Sequence, residues 1–449
     1  MVASGAAFGL TSAYVVLSHL SPAVLFPQLA RYNVMVWLAA AAALACLPQM
    51  LFRRSLRRSP QLYFMLGLTV AVPLSLVANG LARDAMRGLR EFLVLSVVFF
   101  LVLAAVDSLR KMRMLAFALV LVAVYLLSQS LEGWRVNGIY SQYVFRQHIY
   151  NAQGYVVGEF PRLQSVGFLE DPNDFAQYLL IAASLLTLAW APGRWRRNLV
   201  LVVLPTGYLL SGILVTHSRG GLIGLSIFVF FLLEKRFGKI TSFVLSAGLL
   251  RFLFWAGAAG PRSIEMSDPA TAGRIGVWQA GMDMFRSSPL FGVGFHEFLV
   301  HYPPLTAHNS ILLCLAELGI FGTLAWASLI IFSLWDLNWI RQDGRCVAQA
   351  PELAGAANGV KIALFTFIAT GCFLSSTYAM TFYVLIGMAA AARQLYCPVT
   401  LNFALWPASA LRKRTTCGPS WKPTTATSPH ANETKESATS TADVPTPLP

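Results

Sequence analysis

The chain has 449 residues, of which 56% are hydrophobic and 12% charged, with a formal net charge of +14. Soluble globular proteins are about 45–50% apolar and about 25% charged, so a water-soluble globule of this length is excluded, and the mean hydropathy of +0.60 agrees. The basic excess does not call for nucleic acid, because positive cytoplasmic loops of a polytopic membrane protein account for much of it without a partner.

A bilayer span needs about 20 mostly apolar residues. The clear candidates are 33–51, 62–78, 92–106, 114–130, 174–191, 198–215, 219–233, 240–258, 309–334, 360–375 and 378–394. A weaker one, 8–20, is interrupted by Thr11, Ser12 and His19. The expected fold is therefore an all-α polytopic membrane protein of about twelve transmembrane helices. The N-terminus has neither a basic leader nor an A-x-A-like cleavage site, so the first stretch is expected to stay as an anchor.

Basic residues follow every even-numbered span: Arg53, Arg54, Arg57 and Arg58; Arg110, Lys111 and Arg113; Arg194, Arg196 and Arg197; Lys235, Arg236 and Lys239; Arg341 and Arg345; and Arg412, Lys413 and Arg414. Both termini are then expected in the cytoplasm. All seven Lys fall on that side. The six Cys form no C-x-x-C and avoid the outer loops, which argues against disulfides or zinc.

This divides the chain into N-terminal helices (1–130), an outer loop (131–173), a central group of spans (174–258), a second outer loop (259–308), C-terminal spans (309–394) and a cytoplasmic segment (395–449). Two long outer loops in a membrane protein are candidates for function. Within the second, Asp268-Pro269 predicts a helix start, Ile275, Trp278, Met282 and Phe285 recur at helical spacing, and Ser288-Pro289 and Gly292 stop it. Such a helix lies on the membrane surface or roofs a cavity. The tail from about residue 415 is rich in Thr, Ser and Pro and reads as disordered.

With Lys confined to one side, the outer segments carry only Arg: 31, 83, 87, 90, 135, 146, 162, 219, 262, 274 and 286. Local pairing with Glu132, Glu159, Glu170, Asp171, Asp268 and Asp283 is the plainer account for any one of them. As a set, Arg without Lys suits bidentate recognition of phosphate. Three even-numbered spans open outward with polar motifs, and a helix start is a natural anion site. Asp171-Pro172-Asn173-Asp174 opens one, with Asp171 as N-cap and Pro172 at the first helical position. Thr216-His217-Ser218-Arg219-Gly220-Gly221 opens the next, with Ser218 as cap. Ala307-His308-Asn309-Ser310 opens the third, with Asn309 as cap.

Capping explains Asp171, Ser218 and Asn309 but not Arg219, a cation at the positive end of its own helix. An anion bound between them removes that conflict. Gly220 and Gly224 form a small-xxx-small pair for close helix packing. His308 is a candidate base, and the plainer account is an exposed loop histidine. With His296 and His301 it fits no standard metal spacing, so no metal is expected. Glu317 is two and a half turns from His308 and faces away from it, which favours a polar contact between helices. Arg251, inside a span, is similarly ambiguous.

The ordered set Arg162…Gly167…Asp171-Pro172-Asn173, Thr216-x-Ser218-Arg219-Gly220, Arg274-x-x-x-Trp278, Pro289-Leu-Phe-Gly292-x-Gly294 and His308-Asn309…Glu317-x-Gly319-Ile-x-Gly322 resembles the bacterial O-antigen ligase/polymerase family over residues 160–335. The segment from Asp171 to Ala176 also looks like the O-glycosylation ligases associated with exosortase systems. The resemblance implies a metal-independent membrane glycosyltransferase of GT-C type in the bacterial inner membrane, with its active site on the periplasmic side and no cofactor. Its donor would be a glycan on undecaprenyl diphosphate, and its acceptor lipid A-core, another glycan or a protein hydroxyl. On this reading His308 and Arg219 are catalytic, Arg162, Arg219 and Arg274 bind the diphosphate, and Asp171, Asn173, Ser218, Asn309 and Glu317 support them. The alternative is a lipid-linked-glycan flippase or transporter, which would show inverted repeats or helices broken near the midplane.

Overall fold

The computed structural model describes residues 2–22, 27–53, 56, 59–150, 155–261, 269–343, 347 and 350–396. Arg54, Arg57, Arg58, Arg262, Asp268, Arg345 and the basic cluster and tail beyond Tyr396 lie outside the described residues. The described helices fall within one unit, Met1–Pro398.

Apolar helix-forming runs give α1 (Val2–Leu20), α2 (Val34–Phe52), α3 (Pro60–Ala78), α4 (Ala82–Ala105) and α5 (Leu109–Asn137). After a β-hairpin come α6 (Pro172–Leu186), α7 (Trp195–Thr216) and α8 (Arg219–Trp255). Then follow α9 (Pro269–Ser287), α10 (Ser310–Gln342), α11 (Pro351–Gly371) and α12 (Met380–Tyr396). Seven of these, α2 to α5, α7, α10 and α11, are long and apolar enough to cross a membrane. α6 and α12 are shorter and buried on nearly every side, as expected of helices apolar all round at the centre of a bundle. α2 instead turns Trp37, Leu44 and Phe52 outward.

α8 is two helices. Gly238 takes a left-handed φ of 76° and reverses the chain, so that Ser226 Oγ donates to the Ser246 carbonyl at 2.9 Å. The two apolar runs on either side of Lys235–Lys239 thus fold back on each other. Arg251, in the second of them, is exposed.

Two features depart from the sequence expectation. The first outer loop is not all irregular. α5 continues to Asn137, and β1 (Val144–Tyr150) pairs antiparallel with β2 (Val156–Leu163), with Phe145 opposite Arg162. These segments are rich in β-branched and aromatic residues but too short and polar for a search based on apolar spans. The far end of the hairpin is exposed, and Arg162 and Leu163 at its base are buried.

The second concerns the faces of α9. The residues it buries are Val277, Gly281 and Met284, whereas Ile275, Trp278 and Met282 are 36–38% exposed. The buried face is displaced by about one residue from the apolar stripe. Small residues let it sit close: a Cβ on Gly281 would lie 3.0 Å from Leu312 and Phe298. Val277 and Met284 pack with Val293, Phe298, Ala307, Leu313 and Ala316 in a small core between α9 and the start of α10.

α10 is interrupted at Gly319 (φ 61°), a broken helix of the kind expected of the transporter alternative, but here a protein loop takes up the freed backbone groups. A break leaves carbonyls of the first half and amides of the second half without helical partners. The 289–294 loop supplies them. Val293 N–H donates to the Ala316 carbonyl (2.8 Å) and Gly294 N–H to that of Glu317 (3.1 Å). Ile320 N–H donates to the Pro289 carbonyl (2.9 Å) and Phe321 N–H to that of Leu290 (3.2 Å). The motifs Pro289…Gly292-x-Gly294 and Glu317-x-Gly319 are thus the two sides of one backbone contact.

Candidate active site

Four of the outer arginines have local carboxylates: Arg87 with Glu91 (3.0 Å), Arg135 with Glu132 (2.5 Å), Arg146 with Glu159 (3.6 Å) and Arg286 with Asp283 (2.8 Å). These exposed pairs contribute about 1 kcal/mol or less each, and the plainer account suffices for them. Arg162 is instead committed to a buried junction, Arg219 opens α8, and Arg274 lies on α9.

Arg162 is 2% exposed. Its Nε donates to the Thr216 carbonyl (2.9 Å), one terminal nitrogen to Asn173 Oδ1 (2.8 Å) and the other to Gln147 (3.4 Å). The hairpin therefore delivers a guanidinium that ties the last residue of α7 to the start of α6. Asn173 Oδ1 also accepts from Ser218 Oγ at 2.7 Å. Ser218 in turn caps α8 by accepting from Gly221 N–H (3.0 Å). Asp171 caps α6, its Oδ1 accepting from the backbone and side-chain amides of Asn173. The starts of α6 and α8 are thus joined side by side.

Glycines permit that approach. A Cβ on Gly221 would lie 2.9 Å from Ala176 on α6, and one on Gly224 would lie 2.6 Å from Thr370 on α11 and 2.8 Å from Leu180. Arg219 is the first residue of α8, at the edge of this junction. Replacing Arg162 with Gln removes three donors at once. Each hydrogen bond from a charged group is worth about 1.5–3 kcal/mol, so the thermal midpoint of the purified variant is expected to fall well below that of the native protein. An unchanged midpoint would remove Arg162 from this scaffold.

The third helix start completes the group. Asn309 caps α10, accepting from Ile311 N–H (3.0 Å) and Leu312 N–H (3.1 Å). His308, just before it, has a left-handed φ of 46°. Its N–H donates to Ser375 Oγ (2.8 Å), which also accepts from Thr306 Oγ1 (2.9 Å). Ser310 Oγ donates to the Leu374 carbonyl (2.7 Å) and accepts from Ser376 N–H (2.9 Å). The 372–379 loop after α11 therefore fixes the His308 segment, while its Phe373 packs on Gly220 of α8.

The Arg274-x-x-x-Trp278 spacing has a direct meaning here. The two residues lie one turn apart on one face of α9, and Trp278 Nε1 donates to the carbonyl of Ala307, next to His308 (3.1 Å). Burial and the charge of Arg274 push the His308 imidazole below the usual histidine value, against an opposing pull from Asp171.

Glu317 is not part of this group. It is 2% exposed, and its carboxylate accepts from Phe298 N–H (3.2 Å) and Tyr378 OH (2.8 Å). It ties the interrupted α10 to both neighbouring loops, which is the polar contact expected of it. Sequence reasoning missed Gln147, Ser375 and Tyr378. The signal for the last two is the polar run Ser375-Ser376-Thr377-Tyr378, whose ends were counted into the expected spans 360–375 and 378–394.

The arrangement brings three helix starts, three arginines and one histidine that favours the neutral form to one end of the bundle. It can bind a compact dianion and accept a proton beside it. Residues 204–327 match the family model described as O-antigen ligase, which supports assigning the chain to that family. Ser218, Arg219, Arg274, His308, Asn309 and Glu317 lie within the match; Arg162, Asp171, Asn173 and the 372–379 loop lie outside it. No curated protein matches the chain.

Proposed function

We propose, on the premise that residues 204–327 form an O-antigen ligase domain, that the protein transfers a glycan from undecaprenyl diphosphate to an acceptor hydroxyl. The reaction takes place at the outer face of the bacterial inner membrane, in a twelve-span bundle with both termini in the cytoplasm. The observation that carries this reading is the joining of three helix starts, α6 to α8 through Asn173 and Ser218 and α8 to α10 through the 372–379 loop, with Arg219 opening α8 and Arg274 acting on His308.

In the transfer step the acceptor oxygen attacks the anomeric carbon and the bond from that carbon to the phosphate oxygen breaks. The electron pair leaves with undecaprenyl diphosphate, and the hydroxyl proton passes to His308. A diphosphate is already a stable anion, so the site supplies charge stabilisation rather than an acid. Arg219 and Arg274 contact it. Arg162 contributes its charge through the helix junction, since much of its donor capacity goes to Thr216, Asn173 and Gln147. Apolar surfaces beside the site hold the polyprenyl chain, such as the cavity of about 200 Å³ below Ser310 lined by Trp326, Ile330, Phe367 and Gly371.

Since His308 acts as a base, it must be neutral. Its lowered pKa keeps it so at pH 7, and the acid limb of kcat/KM is expected below the ordinary histidine value of about 6.5. Removing the Arg274 charge raises the pKa, so the residual activity of Arg274→Gln should lose its acid limb at a higher pH than the native protein. A limb that does not move would separate Arg274 from His308.

Deleting the gene in its host and analysing attached glycans tests the function and identifies the acceptor. Donor accumulation with loss of all attached glycan means transfer to lipid A-core. A single attached repeat means polymerisation, and unglycosylated protein means a protein acceptor. Unchanged glycans on all three would contradict the proposal.

A further inference from the structure

A second concentration of charge lies at the other end of the bundle. Glu234 is fifteen residues along α8 from Arg219, about 22 Å at 1.5 Å per residue. Facing it, Lys361 in the middle of α11 is 4% exposed. Its ammonium sits over the rings of Phe231 (5.1 Å) and Phe365 (5.8 Å), which stack on one another. Among the described residues no carboxylate pairs with it.

Arg341, near the end of α10, is partly compensated: its side chain is 15% exposed, lies 3.9 Å from Glu234 and donates to Asn338 Oδ1 at 3.3 Å, while its buried Nε has no hydrogen-bond partner among the described residues. Lys235 and Lys239 at the Gly238 turn add their fields, so four cations act around one carboxylate.

Cations held from water in a membrane-spanning bundle need a counter-charge. Basic pockets between helices at the cytoplasmic surface take anionic head groups. Aromatic faces compensate an ammonium only in part. We propose that Lys361, Arg341 and Lys235 form a phosphate-binding site, occupied by the head group of an anionic phospholipid of the adjoining leaflet. Lys361 and Arg341 contact the phosphate from within the bundle and Lys235 closes it from the rim, while Glu234 orients Arg341. The site is separate from the helix starts and does not depend on the transfer reaction.

The test titrates purified full-length protein in detergent with phosphatidylglycerol, phosphatidylethanolamine and inorganic phosphate. It reads the thermal midpoint and, by native mass spectrometry, the bound lipid. Phosphatidylglycerol is expected to stay bound and raise the midpoint, and phosphatidylethanolamine to do neither. Lys361→Met, similar in length and uncharged, should melt at or above the native midpoint without lipid and lose the phosphatidylglycerol response. Lys235→Gln, at an exposed position that does not endanger folding, should weaken binding about fivefold. A Lys361-dependent response to inorganic phosphate with no preference for the lipid would overturn the head-group assignment in favour of a soluble phosphate. Equal lipid binding by the native protein and both variants would overturn the site.

Discussion

Arg219→Ala is expected to insert and fold, and its glycan transfer to fall by about 10²–10³-fold, the loss that follows removal of one preorganised donor from a developing oxyanion. Arg219 is the first residue of α8, where a cation opposes the helix dipole by about 0.3–1 kcal/mol. Replacing it relieves that term, and the thermal midpoint of the variant, measured beside its activity, separates loss of ligand charge from a folding defect. His308→Ala is the companion variant. It removes a group that accepts a proton rather than one that binds charge, and is expected to lower turnover by about 10²–10⁴-fold. Its backbone anchor to Ser375 survives, because that hydrogen bond comes from the main-chain N–H. Radiolabelled donor and acceptor in membranes containing equal amounts of each variant provide the measurement. Full activity in either variant removes that residue from the mechanism.

Gly292→Val is expected to prevent accumulation of folded protein. A Cβ at this position would lie 2.3 Å from the Glu317 carbonyl carbon and 2.5 Å from the Leu318 nitrogen, and Gly292 has φ +70°. Both obstacles are backbone, so no rotamer change relieves them. The expected cost is on the order of 4 kcal/mol or more, in the range reserved for clashes and special backbone sites. Gly319→Val meets the same contact from the other side, with a Cβ 2.5 Å from the Gly292 nitrogen and the Leu290 carbonyl. Gly248→Ala, in helical backbone where nothing lies within 4 Å, should be neutral or stabilise by up to about 1 kcal/mol. Fluorescence-detected size exclusion with thermal challenge separates these outcomes. A monodisperse, native-like Gly292→Val would show that the loop does not dock on the α10 interruption as described.

The residues that carried most information in the sequence were those whose chemistry conflicts with their place. Arg219 stands out because a cation opposes the positive end of its own helix, and His308 because an imidazole titrates near neutral pH; the roles of both are proposals. The caps themselves, Asp171, Ser218 and Asn309, were legible for the converse reason, and each accepts from the expected backbone amides. The role of Arg162 was only partly legible. Its charge is evident, but its commitment to Thr216 and Asn173 depends on a β-hairpin that brings residues 54 and 11 positions away together. The helix α9 was legible from its apolar spacing, whereas its packed face was not, because small Gly281, not a large apolar residue, sits at the tightest contact. The Gly292–Gly319 contact had a visible motif but no visible partner, since hydrogen bonds between distant backbones leave no side-chain signature.

The central claim is that the helix-start site breaks and makes a glycosidic bond rather than moving an intact lipid. The most direct measurement reconstitutes the purified protein in liposomes with a glycan on undecaprenyl diphosphate and a hydroxyl acceptor. It then follows free undecaprenyl diphosphate and acceptor-bound glycan together. The account predicts one undecaprenyl diphosphate released per glycan transferred, with both signals absent in Arg219→Ala. Donor that crosses the bilayer unchanged, with no diphosphate released, would contradict it.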